Sequence, residues 1–131
     1  MIGLDTNILV RYLTQDDPSQ ARLVNRVIDK AAKAGDIFFI TGVALCELVW
    51  VLEDVYRYKK TEILHALETI LRTAQFRFES KNELWRAYHD YQSGKADFSD
   101  YLIGQLGLAS GCKTTLTFDR DLKGASSFES L

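Results

Sequence analysis

Cysteine, proline and long apolar runs are scarce in this chain of 131 residues, and each scarcity excludes a class of protein. Two cysteines cannot build a disulfide framework, so Cys46 and Cys112 are predicted to be reduced core residues of a cytoplasmic protein. The single proline and the absence of low-complexity tracts exclude fibrous and disordered classes. The longest apolar run, residues 43–52, contains Glu47 and is too short to span a bilayer, so no membrane segment is expected.

An excess of positive charge is also missing. The chain has 16 lysines and arginines against 18 aspartates and glutamates, which leaves a formal net charge of −2. This balance argues against a polybasic nucleic-acid binder, although a more local nucleic-acid site remains compatible with it. The placement of the acids therefore becomes the main question.

Short β-rich runs alternate with segments of helical periodicity along the chain. Two helical segments separate the second run from the third, and no linker or internal repeat is present. Alternation of this kind predicts one α/β domain over residues 1–131, with a mainly parallel sheet. The predicted strands cover residues 2–5, 37–41, 76–78 and 113–118.

Two aspartates stand where predicted strands end. Asp5 closes the first strand and Asp119 follows the last one. Because ligands bind at the carboxyl ends of parallel strands, both carboxylates are expected at one edge of the sheet. Taken singly, each is equally well explained as a helix cap or a turn residue.

Three further acids lie on predicted helices. Glu47 is the one charged residue between positions 41 and 52, so a buried carboxylate is expected there unless Glu47 lies at the helix edge. Asp97 and Asp100 are spaced to share one helix face. Capping explains Asp97 equally well, but it explains Asp100 less readily, since that residue directly precedes the apolar run 101–103.

Several carboxylates that converge on one cleft repel each other, and a divalent cation removes the conflict. No histidine or cysteine accompanies these acids at a ligand spacing, so the donors are oxygens. Oxygen ligands select hard cations such as Mg²⁺, with Mn²⁺ as the alternative. Ions of this kind act on phosphates, which predicts metal-assisted phosphodiester hydrolysis.

Four segments together resemble a known family. They are Leu4-Asp5-Thr6-Asn7, the helical Glu47, the segment 96–103 (ADFSDYLI) and Thr117-Phe118-Asp119. In this order and on these predicted elements, the chain resembles the PIN-domain nucleases over residues 1 to 121, and among them the VapC-type ribonuclease toxins of toxin–antitoxin pairs.

The resemblance implies a three-layer α/β/α domain with a central, mainly parallel sheet. It also implies a catalytic, metal-binding quartet of Asp5, Glu47, Asp100 and Asp119, which holds one or two Mg²⁺ ions, with Asp97 as a further acid of the metal site. The polar residues that the resemblance places in support of the acids are Thr6, Asn7 and Thr117.

The resemblance further implies an RNA substrate that is cut endonucleolytically, a cognate antitoxin protein and a homodimer. Three basic residues lie near the acids in sequence and are candidates for binding RNA phosphates, namely Arg11, Arg120 and Lys123. Removing the five acids of the predicted site from the net charge of −2 leaves +3, so the rest of the chain is slightly basic.

Two alternatives stay open. A haloacid-dehalogenase-like phosphatase also begins with an aspartate at the end of a strand, but that class needs a second acid two residues later, where this chain has Asn7. A catalytically silent PIN-like scaffold would bind partners only. All four quartet positions are acidic here, so a loss of metal binding is not indicated.

Overall fold

Strands and helices alternate in the computed structural model, which describes residues 1–131. The chain divides into two compact units, Met1–Glu79 and Ser80–Leu131. The first unit contains three strands, β1 (Ile2–Gly3), β2 (Phe38–Ile40) and β3 (Phe76–Phe78). They form a parallel sheet in the order β1-β2-β3, and Phe38 of the central strand lies opposite Ile2 on one side and Phe76 on the other.

Four helices complete the first unit. They are α1 (Thr6–Thr14), α2 (Pro18–Ala34), α3 (Gly42–Asp54) and α4 (Lys60–Leu71). Side chains cap three of their N-termini, as when Thr41 Oγ1 accepts a hydrogen bond from the Ala44 N–H at the start of α3. Residues at helical spacing on α3 and α4, such as Leu45, Leu48 and Leu67, are completely buried. Burial of each such leucine contributes about 1.5–3 kcal/mol to the stability of the fold, so the buried apolar face stabilises the packing of both helices.

The second unit is built around a pair of helices, α5 (Lys81–Ser93) and α6 (Phe98–Ala109). Strands β4 (Thr115–Thr117) and β5 (Phe128–Ser130) form a parallel two-stranded sheet, and a short 3₁₀ helix, Arg120–Leu122, lies between them in sequence. In the turn between α5 and α6 the Tyr101 hydroxyl lies directly against Gly94, where a Cβ atom would collide with it.

The predicted α/β class with parallel strands is confirmed. Strand β3 has the predicted bounds, while β1, β2 and β4 are shorter than predicted. The strands fall into a three-stranded and a two-stranded sheet, and β5 was not predicted. The prediction that both cysteines are core residues is wrong, because Cys112 is exposed and Cys46 is only partly buried. None of the helices combines the length and the apolar character that crossing a membrane requires.

Candidate functional site

Asp5 lies where the chain passes from β1 into α1. It is the N-cap residue of α1, and its Oδ1 accepts a hydrogen bond from the Thr6 N–H at 2.7 Å. The carboxylate is exposed, as is Asn7 in the first turn of the helix. Because Oδ1 is held by the backbone, the side chain is fixed in direction and Oδ2 is left for another partner.

The Thr6 hydroxyl connects α1 to the middle of α3. Thr6 is buried, and its Oγ1 donates a hydrogen bond to Glu47 Oε2 at 3.3 Å. Glu47 itself is exposed, so the expectation of a buried carboxylate is wrong. The apolar face of α3 includes Leu48 and Val49, and it leaves Glu47 at the helix edge. The first unit thus links two of the predicted acids through one residue, because the Thr6 N–H binds Asp5 and the Thr6 hydroxyl binds Glu47.

Asp97 and Asp100 lie together at the start of α6. Asp97 is the N-cap residue, and its backbone N–H donates a hydrogen bond to Asp100 Oδ2 at 3.3 Å. Asp100 is therefore part of a capping arrangement, a structural role that the sequence reasoning gave only to Asp97. It is also the more buried of the two aspartates.

The pKa of Asp100 shows how its neighbours affect it. Partial burial raises the pKa of this carboxyl above its ordinary value of 3.8, and the negative charges of Asp97 and Asp119 raise it further. The hydrogen bond from the Asp97 backbone opposes part of this increase. Asp97 and Asp119 are thus both close enough to Asp100 to interact with it through their charges.

Asp119 is held by hydrogen bonds on both sides. Its Oδ1 accepts a hydrogen bond from the Asp121 N–H at 2.9 Å, which caps the 3₁₀ helix, and its own N–H donates to Thr117 Oγ1 at 3.0 Å. Thr117 therefore supports Asp119 directly. The Asp119 carboxylate is exposed.

The three basic candidates differ in their surroundings. Arg11 is engaged within the first unit, where its guanidinium donates to Asp16 Oδ1 at 3.2 Å and to Gln20 Oε1 at 2.6 Å. Arg120 and Lys123 are exposed and make no ion pair. Only the latter two are free to meet a phosphate. The hydrogen bonds from Arg11 to Asp16 and Gln20 were not predicted from the sequence.

The donor chemistry of these acids fits a hard divalent cation, because every donor is a carboxylate or hydroxyl oxygen. Neither unit, however, brings three histidine, cysteine, aspartate or glutamate side chains into a group that could hold a metal ion. Asp97, Asp100 and Asp119 interact through their charges without forming such a group. The residues therefore fit the ion by the chemistry of their donors.

Comparisons with known proteins agree with the motifs. The family model described as PIN domain matches residues 2–126 of the chain. The chain is also similar to a protein of Aquifex aeolicus (strain VF5) named VapC ribonuclease, with 26% identity over 120 residues. That alignment covers 92% of this chain and 88% of the relative, so the similarity extends over both units.

Proposed function

The chain belongs to the PIN domain family, and we propose that it is a Mg²⁺-dependent endoribonuclease, the toxin of a type II toxin–antitoxin pair. The observation that carries the proposal is the position of the acids: the four acids of the quartet occur at the positions that the family resemblance implies, Asp97 lies close to Asp100 in sequence, and all five are at least partly exposed. The helix-rich α/β fold with parallel strands is consistent with the family. The similarity to a protein named VapC ribonuclease favours RNA as the substrate.

We assign Asp5, Glu47, Asp100 and Asp119 as the catalytic acids and as ligands of Mg²⁺ or Mn²⁺, with Asp97 as an additional ligand. When bound, the ion supplies neutralisation of the phosphate charge and activation of water. Neither unit groups three such side chains into a metal site, so the site is proposed on the donor chemistry of the acids and on the family match, which covers residues 2–126. The two units are accordingly proposed to be parts of one PIN domain, as the extent of the family match suggests.

The chain's own residues position the acids and receive the proton. Thr6 holds Asp5 through its N–H and Glu47 through its hydroxyl, so a single residue orients two acids. Thr117 fixes the backbone of Asp119, and Asn7 offers an exposed amide beside Asp5. Hydrolysis adds one water across a phosphorus–oxygen bond, and an ionised carboxylate of this set accepts the proton that the attacking water loses.

The same family membership underlies the proposed partners. We propose that a cognate antitoxin protein binds the chain, that the chain forms a homodimer and that it acts in the cytoplasm. Size-exclusion chromatography with light scattering tests the homodimer. A chain that stays monomeric at micromolar concentration would contradict that part of the proposal alone.

RNA cleavage with and without metal tests the central proposal. Structured RNA and a small phosphate monoester are each incubated with the protein in Mg²⁺ or in EDTA. We expect cleavage of RNA in Mg²⁺ only, and a loss of at least about 100-fold in rate for Asp5→Asn, because the charge is removed while the cap acceptor is kept. The matched control is Asp36→Asn, an exposed acid outside the predicted site, which should cleave normally.

The other outcomes separate the alternatives. Turnover of the monoester without cleavage of RNA would contradict the nuclease and support a phosphatase. Activity toward neither substrate, in a protein with an intact unfolding transition, would support a scaffold that only binds partners. Cleavage that continues in EDTA would overturn the proposed metal dependence.

A further inference from the structure

A polar cleft of about 460 Å³ lies within the second unit. Three of its lining residues are cations, Lys95, Arg120 and Lys123, and none of them makes an ion pair. Two acids, Asp90 and Asp121, also line the cleft, and Asp90 Oδ2 already accepts a hydrogen bond from Gln105 Nε2 at 2.7 Å. The cleft therefore offers unpaired positive charge to an incoming anion.

The cations of this cleft are carried by the same chain segments as the predicted acids. Lys95 lies two residues before Asp97, and Arg120 directly follows Asp119. These short separations keep Lys95 and Arg120 within one or two residues of carboxylates that are proposed to act on a phosphodiester, and Lys123 follows four residues after Asp119. An anion bound in the cleft is therefore held next to two segments of the proposed active site.

An exposed aromatic ring adjoins the same cations. Phe118 is 83% exposed, which is unusual for a phenylalanine. A second cleft, of about 570 Å³, is lined by Phe118 together with Arg120 and Lys123. Arg120 and Lys123 thus line both clefts, so the phenyl ring and the polar cleft belong to one continuous surface.

From this arrangement we infer that the Lys95–Phe118 surface, formed by Lys95, Phe118, Arg120 and Lys123, binds single-stranded RNA beside the scissile bond. The three cations bind backbone phosphates and Phe118 stacks on a base, a combination that is typical of single-strand recognition. The inference rests on the proposed nuclease function. It adds Lys95 and Phe118 to the substrate contacts, and it leaves out Arg11, which is occupied by Asp16 and Gln20.

Binding of RNA in EDTA tests the inference without any cleavage. Fluorescence anisotropy of a short labelled single-stranded RNA is measured over a range of salt concentrations for the full chain and for the triple variant Lys95→Gln, Arg120→Gln, Lys123→Gln. Three lost phosphate contacts should lower the slope of log affinity against log salt by about 2, and should weaken binding by roughly tenfold or more at low salt.

The matched control removes three cations from another cleft. Arg26, Lys30 and Lys33 line an exposed cleft on α2, and changing all three to glutamine alters the net charge by the same amount. This control should keep the salt slope of the unchanged protein. Phe118→Leu should weaken binding by about tenfold through lost stacking, but should keep the slope because no charge changes.

The inference is overturned if the triple variant retains the slope, or if the α2 control loses as much slope as the triple variant. An unchanged affinity for Phe118→Leu would remove the stacking contact from the proposal. Since binding is read without metal, a chain that cleaves nothing but shows the expected slopes would refute the nuclease and leave the RNA surface standing. Cleavage with unchanged slopes would do the reverse.

Discussion

Two aspartates, Asp16 in the first unit and Asp100 in the second, show opposite uses of a carboxylate. Asp16 is surrounded by donors, since Tyr56 Oη donates to it at 2.6 Å, Thr14 Oγ1 at 2.7 Å and Arg11 Nη1 at 3.2 Å. The Tyr56 hydroxyl, followed by Thr14, holds the pKa of Asp16 below its ordinary value of 3.8, and the Arg11 charge adds to this. The charge of Asp16 therefore stabilises the fold.

Asp100 is in the reverse situation. Its pKa is raised by partial burial and by the charges of Asp97 and Asp119, so in the absence of a cation its ionised form destabilises the folded state. The difference teaches that hydrogen-bond donors around a carboxylate stabilise its ionised form, while burial and neighbouring carboxylates destabilise it. A bound cation would offset that repulsion.

The strongest test of this contrast is catalytic. On the proposed function, Asp100→Asn should reduce RNA cleavage in Mg²⁺ by at least about 100-fold, because it removes the charge of a proposed ligand while an amide oxygen can still accept the Asp97 N–H. Asp16→Asn, the same chemical change at the structural acid, should retain cleavage per folded molecule. Initial rates normalised to folded protein measure both. Equal losses for the two variants would break the distinction between them.

Close packing around glycine is a second difference between the units. A Cβ at Gly104 of α6 would collide with Ser127 Oγ and lie 2.6 Å from Phe128 Cε2, so Gly104→Ala should lower the free energy of unfolding by about 1–3 kcal/mol. Gly3→Ala is the matched control, because its nearest neighbour, Phe39 O, is 3.9 Å away. Urea denaturation compares the two. A neutral Gly104→Ala would show that β5 and α6 separate easily.

The smallest expected effects are on stability against pH, and they have opposite signs. Asp16 has a lowered pKa, so its contribution is present above pH 3.8 and is lost as the pH falls through its folded-state value. Asp100 has a raised pKa, so its favourable contribution is present below pH 3.8 and is lost as the pH rises through its folded-state value.

Asp16→Asn should therefore destabilise the protein at pH 7 and Asp100→Asn should stabilise it, with EDTA present in both cases. The size of the Asp100 effect is reduced by solvent screening, since that side chain is only partly buried. Denaturant midpoints at pH 7 and near pH 3.8 measure both differences, which should shrink at the lower pH. Two variants that shift the midpoint in the same direction at pH 7 would refute the comparison.

Local patterns were enough to predict the α/β class, the parallel strands and the start of α6 at Asp97. Local patterns did not predict which side of a helix faces solvent or which strands pair with each other. Glu47 has apolar neighbours in sequence, yet the apolar face of α3 turns away from it and leaves it exposed. Strand β5 was missed because Phe128–Ser130 is three residues long and gains its hydrogen bonds from β4, a partner that no local pattern reveals.

Long-range contacts also determine which basic residues are available to bind a phosphate. Arg11 lies near Asp5 in sequence and was a candidate for phosphate, but Asp16 and Gln20 take up its guanidinium after the chain turns into α2. Lys95 lies outside the family motifs, so the sequence did not indicate it as a phosphate-binding candidate, although it lies only two residues before Asp97. Sequence motifs were thus enough to identify the candidate acids, whereas the folded structure was needed to tell which basic residues around them are unpaired.

The hydrogen bonds of the acids have a consequence for side-chain length. Asp5, Asp100 and Asp119 each use one carboxylate oxygen to accept a hydrogen bond from a backbone N–H at the start of a helix or turn. At Asp5 and Asp119 the donor lies one or two residues further along the chain, which suits a short side chain. At the position of Asp100 a longer acid also serves, since Glu62 makes the equivalent hydrogen bond to the Lys59 N–H in α4. Glu47 lies in the middle of α3, has no N-terminus to cap, and is the one longer acid of the four. At Asp5 the short side chain thus follows from the need to begin a helix, and exchanging aspartate for glutamate there would alter the backbone and the chemistry at once.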